Sequence, residues 1–210
     1  MIKTYAFIDA SNLFYGGVKS LGWKIDYQKL LFYFKSKYGI EEAFYFGGVE
    51  IHDFPYNYQT EETVNLSELE RHLLALVENH EGKLNEAQLI LFGRHLQRVR
   101  FYKKLESFGY QMFLKPVKLF EQEDETTKRK ADCDVDMTVK MIKEKDNFSQ
   151  AVVLSGDGDF LPALKYLREL NKEIVILARG SRTAREIRQF AGGNFKDFEY
   201  LRELLKRVET

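Results

Sequence analysis

Residues 151–178 read AVVLSGDGDFLPALKYLRELNKEIVILA, and this stretch decides the fold. "AVVL" is a short apolar run, the pattern of a buried strand, and it ends in a Gly/Asp turn. "FLPALKYLRELN" has helical spacing, and Pro162 is tolerated because it falls in the first turn. "EIVILA" is a second buried strand. Strand, helix, strand is the unit of an α/β domain built on a mainly parallel sheet.

The same alternation extends outward. "TYAFID" reads as the opening buried strand, "DYQKLLFYFKSKYG" as a helix stopped at Gly39, and "EEAFYFGG" as the next strand. From Val49 to about Gly82 the pattern is less regular, with an aromatic loop, "IHDFPYNYQTEE", and a helix, "NLSELERHLLALVENH". Residues of about 49–92 are therefore read as an insertion in a single domain spanning 1–210. "RHLQRVRFYKKLESFGY" predicts a helix closing at Gly109, and "QMFLKPVKLF" a strand interrupted by Pro116. "EQEDETTKRK" has no apolar anchor and reads as a mobile loop. Beyond "EIVILA" come "SRTAREIRQFAGG" and a terminal helix, "EYLRELLKRV".

Composition sets limits on function. The 210 residues carry 32 Lys+Arg and 32 Asp+Glu, a formal net charge of zero. A nucleic-acid partner therefore needs a local basic patch. Cys133 is the single cysteine, which excludes an intrachain disulfide and a multi-cysteine zinc site. No apolar run is long enough to span a bilayer, and "MIKTYAFIDA" is too polar for a signal peptide. The expectation is a cytoplasmic protein with no membrane partner.

The acids then call for an explanation. "KADCDVDMTVKMI", residues 130–142, places Asp132, Asp134 and Asp136 at alternate positions before a helical pattern. On a helix over 132–143, Val135, Val139 and Ile142 share the side expected to face the sheet. Asp132 and Asp136 fall opposite, beside Lys140 and Lys143, as cap and surface charge. Asp134 falls at the edge of the apolar side and is driven inward. A calcium loop starting at Asp132 needs Gly sixth and an acid twelfth, where the chain has Met137 and Lys143, so that reading fails.

A buried carboxylate needs partners. Asp9 closes the first strand, Asp157 follows a later one, and Asp159 opens the next helix. Taken singly, each has a plain reading as a turn or helix cap. In an open parallel sheet, however, ligands collect outside the carboxyl ends of the strands where strand order reverses. Acids gathered there repel one another unless a cation lies among them. A hard ion such as magnesium suits them, and it favours phosphate-bearing substrates.

"FIDASNLFYG", "DCDVDMTVKMI" and "AVVLSGDGDFLPALKYLRELNKEIVILA", in that order, resemble NYN domains of the LabA-like (DUF88) group, relatives of PIN-domain nucleases. The resemblance spans nearly the whole chain outside about 49–92. It implies a three-layer α/β/α, PIN-like (Rossmann-like) fold and a magnesium- or manganese-dependent ribonuclease. Carried over by position, Asp9, Asp134 and Asp157 are the implied metal ligands and Asp159 completes the acidic pocket. Asn12 orients Asp9 or a phosphate, and Ser155 supports substrate or the acids. Two positions depart from the family pattern: Lys140 stands where many relatives have an acid, and "GGNF", 192–195, replaces the usual "ADxF".

Two basic groups are candidates for contact with RNA, single-stranded for preference. One is Arg94, Arg98, Arg100, Lys103 and Lys104. The other is Arg179, Arg182, Arg185 and Arg188, just beyond the last sheet strand. Trp23 and the tyrosines of "FPYNYQ" could stack on bases, although packing is the plainer reading. The four histidines show no metal-ligand spacing, and His72 reads as a surface helix residue. Segment 44–58, rich in Phe and Tyr, is the candidate surface for a homodimer. The rival function is a non-catalytic RNA-binding or regulatory module acting through protein partners. A small-molecule phosphohydrolase is disfavoured because "DASNL" lacks the second acid such enzymes carry after the first strand.

Overall fold

Thr4–Asp9 forms β1, and all six of its residues are buried, as a central strand covered on both faces requires. The computed structural model describes residues 3–11, 22–79, 84–121, 127–131 and 133–207. Asn12 and Asp132 lie outside these described residues. The chain divides into two compact units, Met1–Phe46 with Asp134–Thr210, and Gly47–Cys133.

In the first unit, α1 (Tyr27–Tyr38) starts on an Asp26 cap, whose side chain accepts from the N–H groups of Gln28 and Lys29. It stops at Gly39, which takes φ 63°, a conformation glycine adopts without penalty. There follow β2 (Ile40–Val49), α4 (Asp134–Lys143), β6 (Gln150–Leu154), α5 (Leu161–Glu169), β7 (Glu173–Ala178), α6 (Arg185–Ala191), β8 (Phe195–Asp197) and the short α7 (Arg202–Leu205). The strands stand in the order β2-β1-β6-β7-β8, and every pairing among them is parallel. Helix α4 packs with α5 and α5 with α6, while α1 packs with α7, in the three-layer α/β/α arrangement. Phe7, Phe44 and Phe148 form the aromatic centre of the core, with ring centroids 5.3 and 5.6 Å from Phe7. β8, at "FKD", is a strand that the sequence reading missed; three residues are too few for a hydrophobic period to register.

The second unit begins with the last residues of β2. It contains α2 (Leu66–Asn79), α3 (Glu86–Phe108), β3 (Gln111–Pro116), and a hairpin of β4 (Lys118–Glu121) with β5 (Thr127–Lys130). The N–H of Val117 donates to the Val49 carbonyl at 2.9 Å, so the end of β3 runs beside the end of β2. α3 starts eight residues before the predicted position, on a reciprocal capping box between Asn85 and Gln88. The stretch expected to be a loop at 121–130 is partly the antiparallel hairpin; residues 122–126 are outside the description.

Two expectations need correction. The face of α4 turned inward carries Met137 and Met141, both fully buried, whereas Val135 is 67% exposed and Val139 and Ile142 are also exposed. The helix has two apolar stripes, and packing selected the one with the longer, more adaptable side chains. Asp134 lies seven residues before Met141, almost in line with it along the helix, and is half-buried. The second correction concerns 44–58: Phe44, Tyr45, Phe46 and Phe54 are core residues, which leaves only Tyr58 as a well-exposed aromatic of the supposed dimer surface. Trp23 is also buried and stacks on Phe198, centroids 5.9 Å apart.

Candidate functional site

The chain runs from β1 to β2 on one side of the sheet and through β6, β7 and β8 on the other. Strand order therefore reverses between β1 and β6, the place where open α/β sheets bind ligands outside the carboxyl ends of their strands. The register pairs Ile8 with Leu154, so Asp9 and Ser155 are the next residues out on the two strands.

Asp9 is buried, at 4% exposure, and three donors converge on its carboxylate. The N–H and hydroxyl of Ser11 donate to Oδ1 at 2.9 and 2.6 Å. The Ser155 hydroxyl donates to Oδ2 at 3.1 Å. These bonds offset the cost of placing a charge away from water. Ser155 Oγ also accepts from the Asp157 N–H at 3.2 Å, so one chain of hydrogen bonds links Asp157, Ser155 and Asp9. Asp157 is half-buried and caps the 3-10 turn Gly158–Phe160, its Oδ1 accepting from the Asp159 N–H at 3.0 Å. Asp159 is exposed on that turn.

Asp134 is the first residue of α4. That helix packs against β1 and against the Gly158–Phe160 turn. Because its far end feeds the start of β6, its N-terminus lies toward the carboxyl ends of the strands. The structure thus directs Asp134 to the edge where Asp9, Asp157 and Asp159 stand. Lys140, further along, pairs with Glu144 at 2.8 Å and lies over the Phe44 ring.

The segment after β7 is docked onto the same turn. Ala184 N–H donates to the Gly156 carbonyl at 2.9 Å, and the Glu186 carboxylate lies directly against Gly158. Glu186 is an acid that the sequence reading passed over; its one signal was its isolation in the basic run "SRTAREIR". Arg182 and Arg185 are exposed on this segment, while Arg179 pairs with Glu199 at 2.8 Å. In the second unit, Arg98 is exposed and donates to the Tyr102 hydroxyl at 3.3 Å. Its neighbours Arg100 and Lys103 bind Glu70 of α2 at 3.0 and 2.7 Å. Two of the five cations of that basic group are therefore paired from another helix, which sequence proximity could not reveal. Those two partners hold the Glu70 carboxyl below its ordinary range.

The acids at the switch point offer only hard oxygen donors, which suits a magnesium- or manganese-class ion. Among the described residues no three or more His, Cys, Asp or Glu side chains are grouped to hold a metal ion. What the residues fit is therefore an ion held by one or two carboxylates that keeps its waters for a phosphate, the usual habit of magnesium.

The class the structure defines is a three-layer α/β/α domain on a parallel sheet with acids at its switch point. The chain belongs to the NYN domain family, whose model matches residues 3–199. The protein LabA ("low amplitude and bright") of Synechococcus elongatus is 24% identical over 207 residues, covering 97% of this chain and 87% of LabA. A crystal structure of a protein of unknown function from Vibrio parahaemolyticus superposes with a TM-score of 0.58 at 15% identity, over 94% of this chain and 93% of that one. A second solved structure, the T5 D15 protein co-crystallised with metal ions, gives a TM-score of 0.45 at 12% identity, over 89% and 59% of the two chains. Among the described residues no helix is long and apolar enough to cross a membrane.

Proposed function

We propose that the chain is a divalent-metal-dependent ribonuclease that hydrolyses phosphodiester bonds within RNA. The observation that carries this reading is the Asp157–Ser155–Asp9 hydrogen-bond chain across the β1/β6 switch point. Asp9 and Asp157 would hold a Mg2+ or Mn2+ ion, with Asp134 and Asp159 as further acids outside its direct ligands. Such an ion, when bound, supplies an activated water and neutralises charge on the phosphate.

The chain's own residues do the rest. Ser11 and Ser155 fix the Asp9 carboxylate in one orientation. Asp157 cannot swing freely, because it caps the turn it begins. Arg182 and Arg185, on the segment docked against that turn, would contact phosphates of a single strand without reading sequence. Asn12 is retained as a candidate for orienting Asp9 or substrate.

One observation favours a second reading, a non-catalytic RNA-binding or regulatory module. Both oxygens of Asp9 already accept bonds from serine groups, so the acid is satisfied by the fold alone. Cleavage of end-labelled single-stranded RNA with Mg2+ or Mn2+, by wild type and Asp157→Asn, separates the two. Metal-dependent cleavage lost in the variant with RNA binding retained is the expected result. Binding without cleavage by wild type would overturn the nuclease reading and leave the module.

A further inference from the structure

Helix α4 buries one of its two apolar stripes and leaves the other open. Val135 is 67% exposed, Val139 43% and Ile142 38%, and the three lie within a sector of about 60° around the helix axis. Helix formation does not ask for them there, since β-branched residues are poorer helix formers than straight-chain ones. The stripe continues onto α5. Arg168 of that helix donates to the Phe190 carbonyl at 2.7 Å, so the Arg168 edge faces α6. Tyr166 and Leu170, 39% and 38% exposed, stand on the opposite edge of α5 and at its end, turned toward α4, with which α5 packs. Five apolar side chains on two neighbouring helices make a continuous patch, unlike single exposed residues, and such patches mark contact sites.

We propose that this face docks a second copy of the chain, α4 against α4, antiparallel about a two-fold axis at Val139. The self-match of the helix singles out that partner. With Val139 on Val139 of the second copy, Val135 comes within one position of the other copy's Ile142, and Asp136 within one position of its Lys143. Asp136 lies in the first turn of α4 and Lys143 in the last, and both fall on the same flank of the stripe, about 70–90° from its centre. In an antiparallel pair each flank meets its own counterpart with direction reversed, so acid stands opposite base twice, once on either side of the axis. Isologous contact of this kind is the commonest arrangement of soluble oligomers. Burial of the stripe drives association, and the charges set the register. The patch is smaller than a standard interface, and a Kd of about 10 μM is expected. Below that concentration the monomer prevails, so the stripe does not enter the stability of the single chain. The acids at the two helix N-termini would lie at opposite ends of the pair, and the proposal does not depend on the nuclease reading.

The test is sedimentation velocity of the full chain from about 1 to about 300 μM, a range that brackets the expected Kd. Wild type and Asp157→Asn should pass from monomer to dimer together. Val139→Glu sets like charges on the axis and should stay monomeric throughout, with circular dichroism at the lowest concentration checking that it folds. Asp136→Lys or Lys143→Glu alone should raise Kd about tenfold, because each reversal spoils two symmetric pairs. Both reversals in one chain should return Kd to within about twofold of wild type, a rescue that neither general stickiness nor a folding defect would give. Lys143 is exposed, so Lys143→Glu carries the test if Val139→Glu does not fold. A wild type that stays monomeric would overturn the proposal and leave the face to a different protein. A folded Val139→Glu that dimerises like wild type, or a double reversal as weak as the single ones, would overturn it as well.

Discussion

The Ser155 hydroxyl donates to Oδ2 of Asp9 at 3.1 Å, joining the ends of two strands that are 146 residues apart in the chain. Replacing Ser155 with Ala removes one of three donors to a buried carboxylate. The expected cost is about 1–3 kcal/mol, measured as a shift in urea midpoint at constant m-value, and metal-dependent cleavage should fall with it. A neutral Ser155→Ala in both assays would show that the hydroxyl does not hold Asp9.

Gly156 and Gly158 differ in what surrounds them. A Cβ on Gly156 would meet Thr183 Oγ1 at 2.7 Å and Thr183 Cα at 3.0 Å, whereas one on Gly158 would meet the mobile end of Glu186. Gly156→Ala should therefore destabilise by about 1–3 kcal/mol, while Gly158→Ala should be milder because an exposed carboxylate can swing away. Equal shifts in thermal unfolding would sink this distinction.

The two apolar stripes of α4 can be ranked by truncation. Met137→Ala empties a fully buried position and should cost about 2–5 kcal/mol. Val139→Ala, on the 43% exposed side, should stay within about 0.5 kcal/mol. Chemical denaturation of the pair decides whether the methionine face is the one packed.

Glu70 links α2 to α3 through Lys103 and Arg100, which lower its carboxyl pKa in the folded chain. A depressed folded value gives stability that is fully present above the unfolded value, 4.5, and is lost as pH falls through the lower folded value. Glu70→Gln should cost about 1 kcal/mol at pH 7, and its deficit should shrink on acidification below pH 4.5. A deficit that persists unchanged at pH 3 would assign the loss to packing rather than charge.

The sequence by itself determined the alternation of buried strands and helices, because a strand covered on both faces must be apolar throughout and a glycine at positive φ must end a helix. Residues 151–178 and Gly39 show this directly. It also determined which acids stand at strand ends, since Asp9 and Asp157 are placed by the local run and turn. Only the tertiary structure decided that β1 and β6 are neighbours, that Ser155 bridges their acids, and that Glu186 joins the turn from a later segment. The same holds for the inward face of α4, where local spacing allowed two stripes and the sheet accepted one. Glu70 and its two cations lie far apart in sequence and come together through helix packing. Periodicity reports the environment of a residue along its own element; which distant side chain completes that environment is set by packing across elements.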